Sequence, residues 1–237
     1  MGCAILQECY APRPWLSAVL LAVLVFLPSS ASAGMTPEEV KSFEGNRTLA
    51  EKGNRVAQSN LAICYYNGEG VAKDFVQAAA WFRKAAEQGY AQAQSNLGGC
   101  YASGLGVAQD FVQAVSWFRK AAEQGYALAQ FNLGVRYASG TGVAQDFVQA
   151  AAWFRKAAEQ GYAPAQFNLG VHYYNGEGVA KDEIEAYAYW NLAGITDEDA
   201  RKYLAILEKE MSSDARLLGQ QRTKQLQNEI EAKKAGK

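Results

Sequence analysis

The sequence predicts an all-α protein in which two-helix units stack along the chain into an α/α solenoid, with helical caps at both ends. Three observations support this prediction. The segment from Asp74 to Ala91 recurs 36 residues later with two changes, and again after a further 36 residues without change. Apolar residues inside each copy follow helical spacing, and glycine and aspartate recur at fixed places. A constant period of this length is typical of a repeat array.

The first 33 residues have the pattern of a secretory signal peptide. The single basic residue Arg13 precedes an apolar run from Trp15 to Leu27, and Ala31-Ser32-Ala33 forms a small-residue cleavage motif. The run is shorter than the ~20 residues that a spanning helix needs. We therefore expect export to the periplasm or the medium, a mature chain that starts at Gly34, and no stable membrane span. An uncleaved anchor is the alternative.

Residues 34–54 are predicted to form an N-terminal capping helix. Thr36 has the side chain of an N-cap, Pro37 suits the first helical position, and Glu38 and Glu39 place acidic groups in the first turn. This helix is expected to run to about Lys52.

Four units follow within residues 55–196, in frames 53–88, 89–124, 125–160 and 161–196. Each is predicted as helix A, a turn and helix B. In the first unit Ala57, Leu61 and Tyr65 form one apolar stripe at helical spacing. Gly68 and Gly70 end helix A, because glycine adopts the left-handed conformation without steric cost.

Helix B begins at an aspartate in every unit and carries a large aromatic residue. An aspartate with Gln or Glu three residues later predicts a capping box, and the four aspartates are Asp74, Asp110, Asp146 and Asp182. The side chains predicted to fill the core are those of Trp81, Trp117 and Trp153, with Tyr189 at the equivalent position of the fourth unit. Gly98, Gly134 and Gly170 on helix A are expected to let the helices approach closely.

Residues 197–237 are predicted as C-terminal capping helices and a tail. Asp197–Met211 forms one helix, Ser213-Asp214 caps a last, mostly polar helix, and residues 231–237 are expected to fray. Such helices cover the exposed end of a solenoid.

The landmarks of the unit resemble those of the Sel1-like repeat, an α/α solenoid related to the tetratricopeptide repeat. The landmarks in the first unit are Leu61, Ala62, Tyr65, Gly68, Gly70, Val71, Asp74, Ala78, Trp81, Lys84, Ala85, Ala86 and Gly89. The resemblance covers about Arg55–Thr196. It implies a right-handed superhelix whose A helices line a concave groove, an adaptor role in assembling other proteins, and, in bacteria, frequent export.

If the A helices face the groove, positions that differ between units are the expected contacts for a ligand. The candidates are Ser59, Ile63, Tyr66, Ser95, Phe131, Val135, Phe167, Val171 and Tyr174. They are mildly aromatic and almost uncharged, which favours apolar anchors on the ligand. The alternative for Phe131 and Phe167 is that they pack between adjacent A helices.

An asparagine recurs at one slot of every helix A, at Asn60, Asn96, Asn132 and Asn168. These amides are candidates for hydrogen bonds to the backbone of an extended peptide. The alternative is that each one bonds a neighbouring loop carbonyl, because buried polar groups generally need such partners.

The sequence contains no recognisable catalytic or metal-binding constellation. Cys64 and Cys100 occupy the same slot of neighbouring units. Stacked helices lie ~9–10 Å apart, which argues against a disulfide, although an oxidising compartment would favour one. His172, the only histidine, is expected to be solvated or at the groove edge. No cofactor or metal is predicted.

The expected function is binding of a protein or peptide without catalysis, by a monomer or a weakly self-associating chain. A net charge of −1 gives no overall attraction for nucleic acid. The alternative is a weak β-lactam-binding hydrolase, which is an analogy to a cysteine-rich subgroup of the resembling family. That subgroup carries a cysteine pair in each repeat, and this chain does not.

Overall fold

The structure, a computed structural model, describes residues 35–236, so the predicted signal peptide lies outside the described residues. Eleven α-helices and no strand occur in this range. They are α1 (Pro37–Glu51), α2 (Arg55–Asn67), α3 (Phe75–Glu87), α4 (Ala91–Ser103), α5 (Phe111–Glu123), α6 (Ala127–Ser139), α7 (Phe147–Ala158), α8 (Ala163–Asn175), α9 (Glu183–Ala193), α10 (Glu198–Glu210) and α11 (Ser213–Ala235).

The helices from α2 to α9 form four A/B pairs that stack as an α/α solenoid. The A helices are α2, α4, α6 and α8, and the B helices are α3, α5, α7 and α9. Each A helix packs against the B helix of its own unit and against the B helix before it. The predicted fold class is therefore confirmed.

Each helix B begins at its aspartate. The carboxylate of Asp74 accepts from the backbone N–H groups of Val76 and Gln77 at 2.9 and 3.0 Å. Asp110 and Asp182 cap α5 and α9 in the same way, and Asp146 caps α7 by accepting from the backbone N–H of Gln149. A complete capping box has a second hydrogen bond, from the backbone N–H of the N-cap residue to the side chain three residues later. On α1 this bond is present, because the Thr36 N–H donates to the Glu39 carboxylate. In the fourth unit the Glu185 carboxylate pairs instead with Arg222.

The tryptophans do not fill the core as predicted. Trp81, Trp117 and Trp153 are only partly buried, and the neighbouring aromatic ring points into the core of each unit. Phe118 of α5 is 2% exposed, and Trp190 fills the equivalent slot of α9. Adjacent helical residues are 100° apart on the helix, so one of the two rings faces the core and the other faces the seam between units.

Glycines on helix A create the space for these core rings. A Cβ at Gly98 would lie 2.8 Å from the Phe118 ring, and one at Gly134 would lie 2.7 Å from the Phe154 ring. Contacts this short are not tolerated in packed interiors. The close approach that the sequence predicts at these glycines is present.

A ladder of glutamines joins successive units, and the sequence interpretation missed it. The buried Gln94 amide donates to the Ala86 carbonyl at 3.1 Å and accepts from Gln124 at 2.6 Å. One side chain thus connects the preceding helix B, its own helix A and its own helix B. Gln58 and Gln130 make the same two contacts.

Helix α1 stands in for a helix B that would precede the first unit. Gln58 of α2 donates to the Ala50 carbonyl of α1 at 3.2 Å, just as Gln94 donates to Ala86. Gly70 packs against the Glu39 backbone, as Gly106 packs against Phe75. The N-terminal cap therefore continues the stacking pattern of the repeats.

The C-terminal cap differs from the prediction in two details. Ser212, one residue earlier than expected, is the N-cap of α11. The segment predicted to fray stays helical to Ala235, because Ile230 is buried and Lys233 pairs with Glu159 at 2.8 Å. Helix α11 therefore reaches back from α9 to the end of α7.

Candidate functional site

The solvent-accessible strip of the A helices passes through the asparagine slot. In α2 the residues with exposed surface at helical spacing are Val56, Asn60, Ile63 and Asn67. The strip recurs in part in the other A helices. Gln92 and Pro164 replace Val56 and keep exposed surface, whereas Leu128 in the slot of Val56 and Gly99 in the slot of Ile63 are buried. We call Asn60, Asn96, Asn132 and Asn168 the asparagine row.

Four of the predicted groove residues are not accessible to a ligand. Ser59, Ser95, Phe131 and Phe167 share one slot, and all four side chains are buried. Phe131 packs against Phe154 and Tyr162 with ring centroids 5.8 and 5.4 Å apart, and Phe167 packs against Tyr203 at 5.3 Å. The alternative interpretation, packing within the helix layer, applies to both phenylalanines.

The remaining apolar candidates border the asparagine row. Ile63, Val135 and Val171 each lie three residues after an asparagine, are partly buried, and rest on core clusters. Tyr66 is packed edge-on against Phe75 with ring centroids 5.1 Å apart. The Tyr174 hydroxyl donates to Glu210 at 3.1 Å. These side chains are held in place and keep part of their surface in solvent.

The asparagine row divides into one bonded and three free amides. The Asn168 amide donates to the Pro164 carbonyl of its own helix at 2.8 Å. Within residues 35–236, the side chains of Asn60, Asn96 and Asn132 have no hydrogen-bond partner, although each keeps exposed surface. The loop carbonyl that the sequence interpretation expected does not engage these three amides.

Both described cysteines are buried free thiols. Burial raises the pKa of Cys64, and it raises the pKa of Cys100 to about 12. An activated cysteine nucleophile needs the opposite shift, which a neighbouring positive charge or a helix N-terminus produces. Neither thiol has the chemistry of a catalytic group.

His172 is buried, in contrast to the solvated position expected from the sequence. It is 3% exposed and lies between the rings of Phe147 and Phe154. Its Nδ1 is 2.7 Å from the Glu177 carbonyl oxygen. Burial lowers the pKa of His172 below 6.5, and this carbonyl opposes the shift in part. The ring is therefore a packed neutral group.

The described residues offer no arrangement for a metal ion and no helix suited to a bilayer. No group of three or more His, Cys, Asp or Glu side chains in this part of the chain is placed to hold a metal. No helix between residues 35 and 236 is both long and apolar enough to cross a membrane.

Comparison with known proteins identifies the repeat. The sequence model of the Sel1 repeat family matches residues 55–90, 91–126, 127–162 and 163–194, which together are more than half of the chain. Each match starts at the first residue of an A helix. Among curated proteins, no sequence matches the chain.

Two solved structures show the same architecture. The chain is similar to a protective antigen of uropathogenic Escherichia coli strains that displays an SLR fold, with 38% identity and a TM-score of 0.76 over 91% of this chain. It is similar to a Sel1 repeat protein from Oxalobacter formigenes, with 38% identity and a TM-score of 0.66 over 71% of this chain. It spans 44% and 49% of the lengths of those two chains.

Repeat proteins of this type generally mediate protein–protein interactions and are typically non-catalytic. The four matched copies coincide with the four A/B pairs of the structure, and the similar solved structures carry the same repeat. The chain therefore belongs to the Sel1 repeat family.

Proposed function

We propose that the protein is a non-catalytic scaffold that binds an extended segment of a partner protein along the asparagine row. The observation that carries this proposal is the set of three side-chain amides, Asn60, Asn96 and Asn132, which repeat every 36 residues without an intramolecular partner. Each amide offers a donor and an acceptor, the two groups that a peptide unit needs.

The spacing of the row suits an extended chain. The asparagines recur once per unit, and each A helix packs between two other helices of the stack. An extended chain, which advances ~3.3 Å per residue, therefore meets one amide in each unit that it crosses. The apolar groups beside the row, Ile63, Val135 and Val171, favour a segment with aliphatic or aromatic side chains.

The binding surface is formed before the ligand arrives. The core ring of each unit, the glutamine ladder and the glycine turns hold the A helices in place, so the ligand orders few protein side chains. Preorganisation of this kind lowers the entropic cost of binding. Affinity then depends on the amides and on a small number of apolar anchors.

A peptide-display selection on the full-length protein, followed by calorimetry, tests the proposal. Asn96→Ala/Asn132→Ala is expected to weaken a selected peptide about tenfold or more, since each lost hydrogen bond costs about 0.5–1.5 kcal/mol. The matched control Gln113→Ala/Gln149→Ala removes two exposed amides from the B helices and should leave affinity unchanged. Equal affinity of the wild type and the asparagine variant would contradict the proposal.

We also propose that the scaffold acts after export, because residues 1–33 have the pattern of a cleavable signal. Mass spectrometry of the protein purified from cells should give an N-terminus at Gly34. An intact Met1 terminus would exclude cleavage. The β-lactam hydrolase alternative has no observation in its favour within residues 35–236. Nitrocefin turnover that is abolished by Cys100→Ala would revive it.

A further inference from the structure

We infer that the outer side of α5 is a second docking surface, which accepts an acidic amphipathic helix from a partner protein. This surface lies on the B helices and is independent of the asparagine row. We call it the B face and define it by Val112, Val115, Arg119 and Lys120 of α5 with Val143 of the following turn.

Apolar and basic groups are combined on the B face. Val112 is 66% exposed, and its counterparts Val76 and Val148 are 64% and 62% exposed. A cavity of about 380 Å³ runs along α5 between these side chains and the turn at Val143. Its floor is largely aliphatic, and its charged lining consists of Arg119, Lys120 and Glu123.

Aromatic groups hold the basic side chains in position. Arg119 donates to the Tyr137 hydroxyl at 2.7 Å, and the Lys120 ammonium lies 4.0 Å from the centre of the Trp117 ring. Neither side chain has an acidic partner in the described part of the chain. The B face therefore presents two ordered positive charges beside the single carboxylate of Glu123, which forms no ion pair with either of them, and the net positive charge favours an anionic ligand.

The fold already places a helix on the equivalent surface of the fourth unit. Tyr187, Asn191 and Leu192 of α9 occupy the slots of Val115, Arg119 and Lys120. Helix α11 covers all three residues. A Cβ at Gly219 would lie 2.6 Å from the Tyr187 ring, Asn191 donates to Thr223 at 3.4 Å, and Leu192 clusters with Leu226 and Ile230.

The surface of α9 that α11 covers and the B face of α5 differ in charge. This difference indicates which kind of helix fits the B face. On α9 the apolar Leu192 meets apolar residues of α11, and Glu185 pairs with Arg222 at 2.7 Å. On α5 Gln113 replaces Glu185, and Lys120 replaces Leu192. A helix seated on α5 therefore needs carboxylates opposite Arg119 and Lys120, at the places where α11 carries Thr223, Leu226 and Ile230. It also needs an aliphatic group for the exposed Val112.

Charge disfavours the α11 helix of a second copy as this occupant. Within Ser213–Ala235 there are five basic and three acidic residues, so α11 is itself positively charged. The same surface would repel it. The exposed valines likewise favour a helix with an apolar stripe over nucleic acid, because a nucleic acid backbone gives them no apolar packing partner.

The experiment measures binding of a labelled synthetic helix of about 20 residues to the full-length protein by fluorescence anisotropy. The peptide carries leucines at helical spacing flanked by glutamates, and the matched peptide carries lysine for every glutamate. We expect only the glutamate peptide to bind, with affinity that falls as salt rises from about 0.05 to about 0.5 M.

Four variants locate the interaction. Arg119→Glu/Lys120→Glu is expected to weaken the glutamate peptide about tenfold or more, and Val112→Ser by a smaller factor. Asn96→Ala/Asn132→Ala should leave this peptide unaffected, so failure of the asparagine-row proposal is distinguishable from failure of this one. Arg119→Gln/Lys120→Gln repeats the test should the charge reversal unfold the protein.

Several results would overturn the inference. They are equal binding of the glutamate and lysine peptides, unchanged affinity in both charge variants, and binding of a single-stranded oligonucleotide in place of the glutamate helix. The last result would assign the B face to a polyanion without an apolar stripe.

Discussion

One slot of helix A is filled in two chemically opposite ways. Units one and two place Ser59 and Ser95 there, and units three and four place Phe131 and Phe167. All four side chains are buried. The hydroxyls of Ser59 and Ser95 have no hydrogen-bond partner among the described residues. A buried hydroxyl without a partner opposes folding, because it loses its contact with water.

Ser95→Ala is expected to stabilise the protein by about 1 kcal/mol, since it removes a buried hydroxyl that has no partner. Chemical denaturation measures the change. The matched control is Ser103→Ala, because the Ser103 hydroxyl donates to the Gly99 carbonyl at 2.8 Å. Ser103→Ala should be neutral or mildly destabilising. A loss of stability in Ser95→Ala would show that its hydroxyl is satisfied in solution.

His172 makes the stability of the fold depend on pH. Burial lowers the pKa of His172 in the folded chain below the ordinary value of 6.5, so the unfolded chain binds the proton more tightly. The free energy of unfolding is therefore highest above pH 6.5. It falls as the pH drops through 6.5 towards the lowered pKa of the folded state.

The expected slope is at most about 1.4 kcal/mol per pH unit from this side chain. Urea denaturation between about pH 5.5 and 8 measures it, and this window brackets the ordinary histidine pKa. His172→Cys is the matched variant, because Cys64 and Cys100 fill the same slot in other units. That variant should flatten the profile over this range. Identical profiles for the two proteins would show that His172 does not titrate differently on folding.

At the scale of the single helix, helix B carries two adjacent aromatic residues with different tasks. Phe118 fills the core of its unit against Gly98. Trp117 is partly buried at the seam with the preceding unit, and Lys120 lies over its ring. The periodicity places both rings on the same broad face, so the sequence pattern does not show which ring is central.

Phe118→Ala should cost about 3–5 kcal/mol of stability, because it opens a cavity in a packed core. Trp117→Ala should cost roughly half as much, since less of its surface leaves water on folding. Thermal and urea denaturation of the two variants compare them directly. A larger loss for Trp117→Ala than for Phe118→Ala would restore the original assignment of the core to tryptophan.

The elements themselves could be predicted because their signals are local. Asp74 caps α3 through backbone N–H groups two and three residues away, and Gly68 ends α2 in the left-handed conformation. The burial of Ser95 and Phe131 depends on neighbouring helices. Helix periodicity alone therefore assigned exposure to their slot, whereas the exposed side chain is the asparagine one residue later. The buried role of Gln94 depends on partners 8 and 30 residues away in the chain.

At the scale of the whole molecule, the same contacts recur from the first cap to the last unit. The glutamine ladder and the turn glycines connect each unit to the one before it, and α1 presents Ala50 and Glu39 as substitutes for a helix B. The frame is therefore nearly uniform. The units differ mainly in the A-helix slots beside the asparagine row, such as Ser95 against Phe131, and in the fourth helix B, where Leu192 replaces the lysine.

The most direct test of the central claim records the side-chain amide signals of the asparagine row by nuclear magnetic resonance while a selected peptide is added. We expect the signals of Asn96 and Asn132 to shift on binding, whereas those of Gln113 and Gln149 on the B helices stay in place. A bound peptide that leaves the Asn96 and Asn132 signals unmoved would contradict it.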